Sequence, residues 1–139
     1  MSYTLRPDLT LPQTLAGRTL VELDGGDLVA LAVETWREPG ASTLVIEATA
    51  VAVDGDLAPI ADSDGYVDAT HRHSCSPDVV ALFGEAALRR SVARLVLGEP
   101  PEPGDFEFSD AVRQQASIRN QILLATASAG SSVPLDSIL

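Results

Sequence analysis

His71, His73 and Cys75 are the chain's only two histidines and its only cysteine, and they lie within five residues. Imidazole and thiolate are the preferred ligands of zinc. A cysteine beside a histidine can also act as an activated nucleophile. Position parity sharpens the point. In a strand, successive side chains face opposite ways. Val67, Ala69, His71, His73 and Cys75 then share one face, and Asp68, Thr70, Arg72 and Ser74 share the wet one. The chemistry-bearing side chains therefore point where a core belongs. A closed zinc site usually draws four ligands from separated segments, and these three lie on one strand spanning roughly 13 Å end to end. Neighbouring strand positions also serve a Cys–His pair poorly. The cluster is expected to be structural, partly buried and metal-free. No catalytic, cofactor-binding or metal-ligating residue is assigned.

Other residue groups invite chemistry less strongly. Asp54, Asp56, Asp62 and Asp64 could gather calcium, a cation that takes oxygen ligands. The segment lacks the remainder of an EF-hand loop, and Asp and Gly favour turns for local reasons. Ser74 and Ser76 flank the histidines, but no G-x-S-x-G elbow, P-loop or dinucleotide fingerprint occurs. Asp24-Gly25-Gly26-Asp27 reads as a turn. Arg89, Arg90, Arg94, Arg113 and Arg119 form a basic set. They are either solvated helix faces or a docking surface for the acidic half of a neighbouring copy.

The elements that must position these residues follow from periodicity. Residues 1–18, with Pro7 and Pro12, read as an extended arm. Leu20–Leu23, the Gly25-Gly26 turn and Leu28–Trp36 form a hairpin. Thr43–Val53 is β-branched and apolar on both faces except at Glu47, as expected of a central strand. Residues 54–65 form a loop, and Tyr66–Cys75 returns antiparallel. Near Ser76 the period changes from 2 to 3.6. Ser76 caps a short helical piece with Pro77 at its first position, and Gly84 interrupts it. A helix follows from Glu85, with a stripe of Leu88, Val92 and Leu95 and with Gly98 at its C-terminal cap. Glu99–Gly104 is a stiff acidic linker. Ser109 caps a last helix over Asp110–Ala127, striped by Ile118, Ile122 and Ala125. The expected fold is α+β: an antiparallel sheet over residues 19–75, then two C-terminal helices, with extended arms at 1–18 and 128–139 flanking one domain at 19–127.

Composition sets bounds. A chain of 139 residues with 45% apolar residues builds one domain with a real core. No apolar run reaches the length of a membrane span, and the N-terminus lacks the pattern of a signal peptide. One cysteine makes no internal disulfide. The net charge is −11, and Arg supplies every positive side chain apart from histidine. The absence of Lys suits the codon bias of a GC-rich bacterium or its virus. The acidity is uneven: residues 1–70 hold 12 Asp/Glu against 3 Arg, and residues 71–139 hold 8 against 6. A negative surface repels phosphate, so direct nucleic-acid binding is not expected.

Four short stretches carry a resemblance. They are Asp62-Ser63-Asp64-Gly65 before Tyr66, His71-Arg72-His73-Ser74-Cys75-Ser76-Pro77, Leu97-Gly98-Glu99-Pro100-Pro101 and Ser117-Ile118-Arg119-Asn120-Gln121. With these the chain resembles the small virion proteins of tailed bacteriophages: capsid decoration, head–tail connector or tail proteins. The resemblance implies a non-enzymatic assembly protein without cofactors. It would associate with itself and with other structural proteins through its arms, without membrane contact, in a virion put together in the bacterial cytoplasm. No functional residue is carried over. Two rival readings are a small metal-dependent or cysteine-based enzyme using His71, His73 and Cys75, and a soluble bacterial binding domain.

Overall fold

In the computed structural model, residues 3–62 and 65–127 are described; the tail 128–139, with its expected contacts, lies outside them. Seven strands form: β1 (Tyr3–Leu5), β2 (Thr19–Leu23), β3 (Leu28–Arg37), β4 (Leu44–Val53), β5 (Ala61–Asp62), β6 (Gly65–Tyr66) and β7 (Asp68–Cys75). Helices α1 (Pro77–Phe83), α2 (Glu85–Leu97) and α3 (Asp110–Ala116) follow, and residues 118–127 form a fourth helical run, α4. The main sheet has the order β1-β2-β3-β4-β7 and is antiparallel throughout, while β5 and β6 make a separate small hairpin. This is the expected α+β order, with the sheet in the N-terminal half and helices after it.

The long β3–β4 hairpin is the spine. Ten residues of each strand pair in register, from Leu28 opposite Val53 to Arg37 opposite Leu44. β4 is central and buried almost end to end, as its apolar run on both faces requires. One face of the sheet carries Val21, Leu23, Val29, Leu44, Ile46, Ala48, Ala50, Ala69 and Cys75. They pack with Leu88, Val92, Val96 and Leu97 of α2 and with Ile118 of α4. A second cluster on the opposite face joins Leu15, Leu20, Ala30 and Val53, with Leu9, Leu11, Leu28 and Leu57 against them.

That second cluster changes the meaning of residues 1–18. The segment is extended as expected, but it lies along the domain. β1 pairs with β2, and Leu15 is buried. The physical reason is the uncovered half of the sheet's second face, which these leucines close. Removing residues 1–15 would strip this cluster as well as any outward contact.

Three local details depart from the sequence reading. Tyr66–Cys75 is not one strand: Tyr66 belongs to β6, and Val67 bridges by donating to Ile60 O and accepting from Ala52 N. The last helix divides at Ser117, whose backbone is extended (ψ 122°). Its side chain accepts from Asn120 N and so caps α4, the competing use that keeps Ser neutral or unfavourable within helices. The break lets Ile118 enter the core. The third departure concerns residues 99–109, which lead to the site.

Candidate functional site: a ring cluster on the edge strand

β7 is an edge strand, and its parity is as expected. Ala69 and Cys75 are buried, His71 and His73 half-buried, and Asp68, Thr70, Arg72 and Ser74 exposed. His71 sits opposite Ala48 of β4, and His73 opposite Ile46. The two rings lie side by side, 6.1 Å between centroids and 23° between planes.

Above them runs the segment after α2. It is no free acidic linker. Gly98 ends α2 in the left-handed region (φ 74°), its N–H donating to Leu95 O, while Glu99 N donates to Arg94 O. A Cβ at Gly98 would lie 2.4 Å from Ser117 Oγ and 2.8 Å from Arg119 Cδ, so conformation and space both require glycine. Arg119 donates to Leu97 O at 2.9 Å, to Glu99 at 2.6 Å and to Asp24 in the β2–β3 turn. Arg94 grips Asp105 through both carboxylate oxygens (3.0 and 2.8 Å) and Glu102 at 3.0 Å. Phe106 N then donates to Ser91 Oγ at 2.9 Å, and that hydroxyl donates to Ala87 O. The segment's carboxylates are thus counter-ions for the arginines of α2 and α4. Removing one partner of the buried Arg94–Asp105 or Arg119–Glu99 pair leaves an uncompensated charge, at a cost of about 3–5 kcal/mol, whereas the exposed Glu102 adds little.

The segment delivers Phe106 and Phe108 onto the histidines. His71 meets Phe108 edge-on at 5.3 Å. His73 meets Phe106 at 4.8 Å and Phe108 at 5.1 Å. Phe83 of α1 completes the group at 5.5 Å from Phe106. All three phenylalanines of the chain and both histidines therefore meet in one cluster. His-x-His on β7 and Phe-x-Phe on the covering segment share the two-residue repeat of extended chain, so the rings meet pair by pair, edge-on or tilted.

This setting fixes the chemistry. Burial pushes both imidazoles below the usual histidine range, and the neighbouring His73 pushes His71 further the same way. Both are neutral at pH 7. The Nε2 of His71 is buried and makes no hydrogen bond, a penalty that the apolar surroundings do not relieve. Burial raises the Cys75 thiol, which lowers its thiolate fraction and its reactivity. Among the described residues no three His, Cys, Asp or Glu side chains converge as a metal cage would require. The His71 Nε2 atom thus lies buried among rings.

The other candidates resolve differently. Asp54 accepts from Asp56 N at 2.9 Å and Ala58 N at 3.0 Å, closing its own turn. Asp64 and the Asp62 side chain lie outside the described residues. The basic set is largely spent inside the molecule. Arg94 and Arg119 hold the covering segment, and Arg89 donates to Thr35 Oγ1 and Val33 O of β3. Only the exposed Arg90 and half-buried Arg113 remain available for either reading of the basic set, a solvated helix face or a docking surface. The signal missed in the sequence was Ser91-x-x-Arg94 facing Asp105-Phe106, where a small hydroxyl and an arginine anchor consecutive residues.

The opposite face of β7 is wet. Arg72 pairs with Glu47 at 3.0 Å and lies 5.2 Å from the centre of the Trp36 ring. Glu34 stands opposite Glu47 on β3, so Arg72 also offsets a like-charge cross-strand pair.

Comparison with protein-family models, with curated proteins and with solved structures returns no match. No helix among the described residues is long and apolar enough to cross a membrane.

Proposed function

We propose that this protein is a non-enzymatic assembly protein that makes repeated contacts with copies of itself and with other structural proteins. The resemblance to small virion proteins of tailed phages supports this reading, and such a component would be put together in the bacterial cytoplasm. One observation carries the reading: among the described residues, apolar side chains are left in solvent on β1 and α4, as they are at Tyr66 of β6 and Leu82 of α1. On edge strand β1, Tyr3 is 40% and Leu5 55% exposed; on α4, Leu123 is 65% and Leu124 64% exposed. Exposed apolar groups on terminal elements suit contacts between copies, and each Leu fully buried there contributes roughly 1.5–3 kcal/mol. The unpaired edge of β1 adds backbone groups that a neighbouring strand can satisfy. Arg90 and Arg113 leave a small positive surface for an acidic partner, narrower than the sequence suggests.

Sedimentation velocity across a concentration series tests the proposal. The wild-type chain is expected to associate. Leu5→Asp and Leu123→Asp/Leu124→Asp should each weaken association at least tenfold while leaving the circular dichroism spectrum unchanged. A chain that stays monomeric to millimolar concentration, alone and with its structural partners, would defeat the proposal.

A further inference from the structure

We propose that residues 106–116, comprising the Phe106–Phe108 segment and α3, form an acid-labile flap that lifts from β7 when His71 and His73 take up protons. This goes beyond the assembly reading and does not depend on it.

The flap has two fixed ends. Before it, Asp105 is held by Arg94, its side chain 4% exposed. After it, Ile118 is fully buried in the core. Between these anchors little holds the chain down. α3 is seven residues long, and Ala116 is its one buried residue. The remaining grip is the hydrogen bond from Phe106 N to Ser91, those from the Asn120 and Gln121 side chains to Gln114 O and Gln115 O, and the packing of Phe106 and Phe108 on the core and on Phe83, His71 and His73. Two titratable rings thus form part of the surface on which the flap rests.

No group on the surrounding elements is placed to accept the new charge. Opposite the histidines, β4 offers Ile46 and Ala48. Cys75 on the same face of β7 is a neutral thiol. α1 contributes Phe83, and its Asp78 is exposed in the first turn. α2 contributes buried Leu88 and Val92, with Arg89 turned to β3 and Arg94 spent on Asp105 and Glu102. On the flap, Glu107 is exposed between the two phenylalanines, Asp110 is exposed at the start of α3, and Arg113 would add to the repulsion. Neither imidazole forms an ion pair among the described residues, and His71 Nε2 has no acceptor at all. Two imidazolium rings 6.1 Å apart would also repel each other. Lifting the flap returns both rings to water.

Native-state amide exchange of the full chain, followed by mass spectrometry from pH 7.5 to 5.5 and corrected for intrinsic exchange, reads this directly. Each proton taken up on opening raises the opening equilibrium by as much as tenfold per pH unit. Peptides within 106–116 should lose protection at least tenfold over that range, while those of β3 and β4 keep theirs. The His71→Phe/His73→Phe variant retains rings and should remove the pH dependence. Flap protection that does not change with pH, or that falls in step with β4 as the whole domain opens, would overturn the proposal. So would an equal pH dependence in a folded double variant. If that variant does not fold, the wild-type contrast between flap and β4 decides alone.

Discussion

The two faces of β7 carry alternate residues of one eight-residue strand, yet they do opposite things with polar chemistry. On the outer face, Arg72 is solvated, paired with Glu47 and laid over Trp36. On the inner face, His71 and His73 are withdrawn among three phenylalanines, with no partner for His71 Nε2. Water screens the outer pair, so its contribution is small. The inner rings are half-buried and screened less, so their protonation state bears on whether the face stays closed. Residue type alone does not decide which histidine or arginine matters; the dielectric around it does.

The largest effect that should separate the faces comes from the covering side. Phe106→Ala removes ring contacts to His73, Phe83 and Phe108 at once, and should cost about 3 kcal/mol by urea denaturation. A loss below about 1 kcal/mol would mean the cluster is loosely packed.

Acid comes next. The folded pKa values of both histidines lie below the unfolded value of 6.5. The unfolded chain therefore binds these protons first as pH falls. Stability is complete above about 6.5 and declines through the folded pKa values, at no more than about 1.4 kcal/mol per pH unit for each proton. Urea midpoints at pH 7.5, 6.5 and 5.5 measure it; the fall should lie between the last two. Replacing His71 by Phe sharpens the contrast further. It deletes an unsatisfied buried nitrogen while keeping a ring, so stability at pH 7.5 should rise by up to about 1 kcal/mol. The smallest effect belongs to the outer face. Arg72→Ala should cost less than about 1 kcal/mol, and less again in 0.5 M salt; a larger loss would place structural weight on the wet side.

Much of this arrangement was legible in the residues. Alternation placed His71, His73 and Cys75 inward, and Gly25-Gly26, Ser76, Pro77, Gly98 and Ser109 marked turns and caps through local chemistry. The covering segment was not. Glu99, Glu102 and Asp105 look like solvent residues until Arg94 and Arg119 are brought beside them, a pairing of residues distant in sequence that periodicity cannot express. Phe106 and Phe108 showed a two-residue repeat but no strand partner, because they stack on rings rather than join a ladder. Ser117 carried the chemistry of a cap inside a helical pattern, and the pattern alone does not show that the cap is used there and the helix breaks. Leu9, Leu11 and Leu15 looked unattached because the uncovered half-face that receives them exists only once the sheet has formed.

The central claim is that both histidines are neutral packing rings enclosed by Phe106 and Phe108. A proton NMR titration of the histidine ring resonances in the intact chain tests it most directly. Both rings should titrate below 6.5 and show cross-relaxation to the Phe106 and Phe108 rings at pH 7.5. Titration at or above 6.5, or rings without contact to those phenylalanines, would contradict it.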